Sequence, residues 1–319
     1  VFGTYLFLAL AIARGGIWRA GGIVFNLALL AFFKYKFLFF APPALTGNGA
    51  VNFLLNLPLP IGISFFVFHN ISLLVDLTRD KSEPAPSLGD VFLYIIFFPQ
   101  LVSGPITRAG LFMPQIKPKQ IAAVPFVEAA KWIVTGFFFK LYVANNLNEM
   151  TSYMDFPLYE TLQTQDRWLL VILYSYQIYA DFFGYSAIAI GLGLLFGYRL
   201  PINFNRPYFS SSFSEFWTRW HISLSTWLRT YLYIPLGGNR HGEHRRNADF
   251  PLLAFLPHFL AVGGSPAVGG PVVGQAVNVA VVGQERLLIE LFAVGPNHLP
   301  QPVGAEGAGH AIGEAAAGE

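Results

Sequence analysis

Residues 168 to 197 run for thirty positions with one charged side chain, Asp181, and that stretch constrains the fold more than any other feature of the chain. A helix rises about 1.5 Å per residue and the hydrocarbon core of a bilayer is about 30 Å thick, so roughly 20 apolar residues can cross it. Residues 22 to 40 and 58 to 77 form further apolar runs of near that length. Composition agrees. The 319 residues are 54% hydrophobic and only 12% charged, with a mean hydropathy of +0.49, where soluble domains carry about a quarter of charged residues. The expected fold class is all-α, a polytopic membrane protein with several transmembrane helices.

The same numbers exclude other functions. A formal charge of +2, scattered among apolar segments, gives no basic face for nucleic acid. The absence of cysteine removes a disulfide framework, a thiolate metal site and a thiol nucleophile. No residue cluster has metal-ligand spacing, and the glycine pairs lack a phosphate-loop pattern. Val1 opens the chain inside an apolar run with no basic leader, so the true N-terminus is expected upstream.

Charge asymmetry orients the spans. Arg14 and Arg19 precede the run 22 to 40, Arg79 and Lys81 follow the run 58 to 77, and the connector between them carries no charge. Basic flanks favour the cytoplasm. Lys34 and Lys36 must then snorkel or line a cavity. The run from Val91 to Val102 is too short to span before Ser103-Gly104-Pro105 interrupts it, so it is expected to be re-entrant, and Lys117 and Lys119 follow it inside. Residues 121 to 145 cross outward, the acidic segment 146 to 166 lies outside, and 168 to 197 returns to Arg199 and Arg206. A helix is expected over 213 to 234, lying in the interface or dipping into the protein, since Arg240, Arg245 and Arg246 beyond it again prefer the inside. Ser212-Phe213-Ser214-Glu215 has capping-box spacing at its start, Glu215 and Arg219 form an i,i+4 pair, and Pro235-Leu236-Gly237-Gly238 ends it. Phe213, Trp217, Trp220, Leu224, Trp227, Leu228 and Tyr231 form its apolar stripe, with His221 at the border.

Periodicity alone makes His221 a packing residue more readily than a catalytic one. The words around it change that. FWTRWHISLSTWLRTYLYIPLGGNR, residues 216 to 240, resembles the signature of the bacterial alginate O-acetylation branch of the membrane-bound O-acyltransferases. FKYKFLFF at 33 to 40, ISFFVFHNISLLVDLTR at 63 to 79, FFPQLVSGPITR at 97 to 108 and YADFFGYSAIAIGLGLLFGYRLPINFNRPY at 179 to 208 resemble the same branch in the same order. The resemblance implies re-entrant or interfacial helices around a central funnel. It also implies transfer of an acyl group, commonly acetyl, from a cytoplasmic donor such as acetyl-CoA towards hydroxyls of an exported polysaccharide such as alginate. No bound cofactor is expected. The implied partners are the lipid bilayer, the acyl donor and exported-side polysaccharide-modifying proteins, with no nucleic acid. The implied location is the bacterial inner membrane. By matching position, His221 is the first of two family histidines, the second coming from a later GLWHGA-like segment.

Other residues carry weaker signals. Asp181 near the middle of a span is either a functional carboxylate or a hydrogen-bond anchor to Tyr185 or Ser186, and Ala187 stands where the family motif DFSGYSD has a second carboxylate. His69 falls where relatives often have Gln and reads as a polar packing or funnel residue. Asn203, Asn205 and Arg206 shape a cytoplasmic loop that could hold an anionic donor, as could Arg219, with solvated loop polarity and topology charge as an alternative of at least equal weight. His241 and His244 read as an exposed tail.

All 6 Trp and all 14 Tyr occur by residue 233. From about residue 243 the chain turns to Gly, Ala, Val and Pro, and no WHG-type segment appears; His258 falls at a plausible distance, but Pro257-His258-Phe259 does not match. The expected organisation is a membrane-embedded acyltransferase core over residues 1 to 242 and a divergent tail over 243 to 319. A frame-shifted, disordered tail is favoured over a divergent or naturally soluble extension. Two rivals remain for function: a catalytically inactive fragment of such an enzyme, and a membrane transporter or scaffold, since broken helices and a buried Asp also occur in substrate pathways.

Overall fold

The computed structural model describes residues 1–39, 62–79, 85–101, 103–154 and 158–238, with isolated positions between 49 and 60. The tail, with His241, His244 and His258, lies outside the described residues, and so does the loop at 80 to 84. Every regular element among the described residues is helical. In chain order these are α1 (Phe2–Arg14), α2 (Gly16–Phe39), α3 (Ile63–Arg79), α4 (Leu88–Ile96), the single turn α5 (Ala109–Phe112), α6 (Phe126–Phe137), α7 (Asn145–Thr151), α8 (Thr164–Leu195), α9 (Phe213–Arg219) and α10 (Ile222–Leu228). A π-helical segment, Phe138–Ala144, joins α6 to α7, and a second, Arg229–Tyr233, continues α10.

Among the described residues, two helices are long and apolar enough to cross a bilayer, at Gly16–Lys34 within α2 and over Thr164–Leu195. The first begins six residues before the expected run at 22. Ser87 starts α4 with a capping box closed by Asp90, and α4 stops at Ile96, about 14 Å of rise and well short of a span.

Three contacts tie these helices together. Asn26 of α2, buried to 1% exposure, accepts from Asn70 Nδ2 of α3 at 2.8 Å and meets Thr4 of α1 at 3.3 Å. In an apolar medium such interhelical bonds contribute roughly 0.6–2 kcal/mol. Leu8, Leu73, Leu74, Val91, Tyr94, Ile190 and Leu194 belong to one core that joins α1, α3, α4 and α8. Finally, α6 and α8 run against each other along glycines. A Cβ on Gly136 would sit 2.6 Å from the Gly184 carbonyl, and one on Gly191 would sit 2.8 Å from the Ala129 carbonyl. The two points are seven residues apart on each helix, about two turns, so one seam of small residues holds the backbones in contact.

The expected helix over 213 to 234 is broken. It forms α9 and α10, separated by Trp220 in an extended conformation and His221 in the left-handed region at φ 45°, ψ 51°. Its apolar stripe is accordingly divided. Phe216, Trp217 and Trp220 pack with Phe182 and Phe204, whereas Trp227 and Leu228 pack with Val67, Phe68 and Ile71 of α3. The capping box is half formed: Ser212 accepts from the Glu215 amide at 3.2 Å, but Glu215 reaches the amide and hydroxyl of Ser211 rather than the amide of Ser212.

Candidate active site

The break at His221 is held from outside the helix. The loop segment 203 to 205 straddles it, with the Asn205 amide donating to the Arg219 carbonyl and the Ile222 amide donating to the Asn203 carbonyl, both at 2.9 Å. These two bonds take up backbone groups on either side of the interruption. The Asn203 side chain completes the tie. Its Oδ1 accepts from Ser223 at 2.5 Å, and its Nδ2 donates to Ser186 of α8 at 2.9 Å. Ser223 in turn accepts from the Ile106 amide at 3.0 Å, which brings in the 103–108 segment.

Asn203 is 1% exposed with both ends of its amide engaged, so its side chain shapes the loop from within. Asn205 and Arg206 do lie exposed on the loop, Arg206 also at positive φ. Arg219 pairs with Glu215 at 2.5 Å as its spacing predicts. Bonds from the hydroxyl and amide of Ser211, with Arg219 alongside, hold the Glu215 carboxyl below the usual carboxylate range. Its contribution is complete at neutral pH and is lost only in acid, as pH falls through that lowered value.

The imidazole of His221 meets the ring of Phe182 edge to face, with centroids 4.7 Å apart. Phe204, Trp220, Tyr179 and Phe183 continue this aromatic wall, Phe204 lying 4.9 Å from both Phe182 and Trp220. His221 and Arg206 are the two non-glycine residues at positive φ among the described residues. That conformation costs an L-residue about 1–2 kcal/mol. Such strain persists where surrounding structure imposes it, and it clusters at functional sites.

Beyond the break, α10 is fixed to α3. Trp227 Nε1 donates to the Phe68 carbonyl at 3.1 Å, and Tyr231 donates to Asp76 at 2.7 Å. Asp76 also accepts from the Gly110 amide at 3.0 Å, so one carboxylate joins α3, α5 and the segment after α10.

Asp181 finds neither expected partner. Ser186 is taken by Asn203, and the Asp181 carboxylate pairs with Lys140 at 2.5 Å. Sequence reasoning missed Lys140, although a cation inside the run FFFKLYV should have called for a counter-ion. His69 is fully buried in α3 against Tyr94, ring centroids 5.4 Å apart. Neither of its nitrogens has a hydrogen bond of good geometry, although the Phe65 carbonyl lies one turn back. No group of three His, Asp or Glu side chains among the described residues could hold a metal ion.

A left-handed His imposed by a buried tie, inside an aromatic wall, sits within a match to the membrane-bound O-acyltransferase family model that covers residues 62–256. The chain belongs to the membrane-bound O-acyltransferase family. It is 41% identical over 229 residues to a probable alginate O-acetylase of Pseudomonas syringae, covering 71% of this chain and 44% of that protein. A peptidoglycan O-acetyltransferase of Helicobacter pylori is 37% identical over 254 residues, 71% of this chain and 48% of that protein. A teichoic acid D-alanyltransferase of Streptococcus thermophilus is 31% identical over 219 residues, 64% of this chain and 51% of that protein. The chain thus spans about half the length of the curated relatives it matches. The family match takes in both the His221 break and α8.

Proposed function

We propose that this chain supplies the core of a multi-pass inner-membrane O-acyltransferase that moves an acyl group, acetyl by preference, from cytoplasmic acetyl-CoA to hydroxyls of an exported polysaccharide. The single observation that carries this reading is His221, held in a left-handed conformation by the Asn203 tie within the residues that match the family. A sugar hydroxyl is a poor nucleophile until a base takes its proton, and neutral imidazole is well matched to do so near neutral pH. His221 accepts that proton as the hydroxyl oxygen attacks the thioester carbonyl. The C–O bond forms, the C–S bond breaks, and the departing CoA thiolate leaves to be protonated. Asn205 and Arg206, exposed on the loop before α9, are placed to meet the anionic donor. Alginate or another envelope glycan is the acceptor class, and exported-side polysaccharide-modifying proteins are the partners.

Orientation follows from the basic loops. With 78 to 90 and 198 to 212 cytoplasmic and 146 to 166 outside, a membrane-impermeant thiol reagent on intact cells labels cysteine introduced at 156 and spares one at 84. The reverse pattern inverts the topology.

The reaction unit needs a second His. No WHG-type segment follows residue 240 in the sequence, and His69 is packed against Tyr94 in α3. We therefore expect the 319-residue chain to transfer little acyl group, and a form carrying a GLWHGA-type segment after residue 240 to be active. Loss of one member of a catalytic unit costs several orders of magnitude. Membranes holding equal amounts of each form, supplied with labelled acetyl-CoA and the native glycan, make the comparison. Equal activity from both, abolished by His258→Ala, would assign the second role to the tail instead.

A further inference from the structure

The geometry points to Lys140 and Asp181 as positioning residues for His221, acting through the rotation of α8. The proposal rests on the catalytic reading of His221 for its activity arm and on geometry alone for its structural arm. Asp181 is the neighbour of Phe182, whose ring edges the His221 imidazole at 4.7 Å. Lys140 lies in the π-helical segment Phe138–Ala144, where wider turns re-aim side chains relative to a regular helix. Its ammonium meets the Asp181 carboxylate at 2.5 Å, with the two side chains only 29% and 23% exposed. Phe139, beside Lys140, packs on Phe183 at 4.9 Å.

One stretch of α8 is thereby gripped from two directions. Lys140 and Phe139 hold Asp181 and Phe183, while Phe204 and His221 bear on Phe182. The glycine contact one turn later, Gly136 against Gly184, sets how closely α6 and α8 approach. Contact between glycine backbones does little to fix rotation about the helix axis. The ion pair does fix it, because any turn of α8 that parts Asp181 from Lys140 swings Phe182 off the imidazole by the same angle. Charges inside a spanning segment are retained where they pair or function. Packing alone would tolerate an apolar replacement of the whole pair, so the functional role is separable from stability.

The test uses the full chain, in the active form if the 319 residues transfer little acyl group. Lys140→Met, the neutral double Lys140→Met with Asp181→Asn, and the exchanged pair Lys140→Asp with Asp181→Lys are compared at equal membrane levels. A register readout is built in each background from Phe139→Cys with Phe183→Cys, in a chain that has no cysteine of its own, using a short bifunctional thiol reagent. The neutral double inserts but loses about 10²-fold in kcat, the scale of a small misplacement at the reacting group, and its cross-linking falls. The exchanged pair recovers both. Lys140→Met alone leaves an unpaired carboxylate and inserts poorly, and the neutral double keeps the test decisive there. Full activity and cross-linking in the neutral double overturn the proposal. So does an exchanged pair that inserts but recovers neither. His221→Ala is run alongside; retained activity in that variant removes the catalytic reading, while cross-linking still decides whether the pair sets the rotation.

Discussion

In the form that carries a GLWHGA-type segment after residue 240, replacing His221 with alanine is expected to lower acyl transfer by roughly 10²–10⁴-fold, the usual contribution of a positioned general base, without loss of membrane insertion. Alanine is no better suited than histidine to the left-handed conformation at φ 45°, so a deficit in that variant could come from the backbone as well as from the lost imidazole. Asparagine separates the two. It adopts the left-handed region more readily than most residues but has no basic nitrogen. His221→Asn should therefore retain the bend between α9 and α10, retain the tie to Asn203, and be as inactive as alanine. Turnover of labelled acetyl-CoA in membranes, normalised to the amount of inserted protein, decides it. Near-normal activity in the asparagine variant would reduce His221 to a packing residue of the aromatic wall.

Part of the fold and the family could be read from the sequence. Long apolar runs gave an all-helical membrane chain, and the WHISLS segment gave the family, because both depend on local composition and on an unbroken string of residues. The Glu215–Arg219 pair was legible for the same reason, being set by helix spacing alone. What could not be read was long-range. A stripe of Trp and Leu at three- and four-residue steps fits one helix as well as two. Only the arrival of residues 203 to 205, with their backbone bonds to Arg219 and Ile222, decides for a break. Asn203 looked like loop polarity because its partners, Ser186 and Ser223, lie 17 and 20 residues away. Asp181 in mid-span calls for a partner, but Lys140 is 41 residues distant in a different helix, whereas Tyr185 and Ser186 are its polar neighbours in sequence.

The seam between α6 and α8 supports the second large expectation. A glycine inside a helix ordinarily gains about 1 kcal/mol when replaced by alanine, through backbone entropy. At Gly184 that gain is outweighed. The new Cβ would lie 2.8 Å from both the Gly136 carbonyl and the Lys140 amide, backbone atoms that no side-chain rotation can clear. The helices must part, and overpacking of this kind costs about 1–3 kcal/mol. It would also disturb the π-helical segment that carries Lys140. Gly184→Ala should thus lower the thermal stability of the detergent-solubilised protein, and Gly184→Leu should prevent recovery of folded material. Gly16 supplies the control. A Cβ there has only the tip of Arg19 within reach, at 3.8 Å, so Gly16→Ala should be neutral or slightly stabilising. Thermal unfolding of the two alanine variants in one detergent checks the order, and the yield of folded protein checks Gly184→Leu. A Gly184→Ala protein as stable as Gly16→Ala would mean that α6 and α8 do not touch along this seam, and the placement of Asp181 beside Lys140 would fall with it.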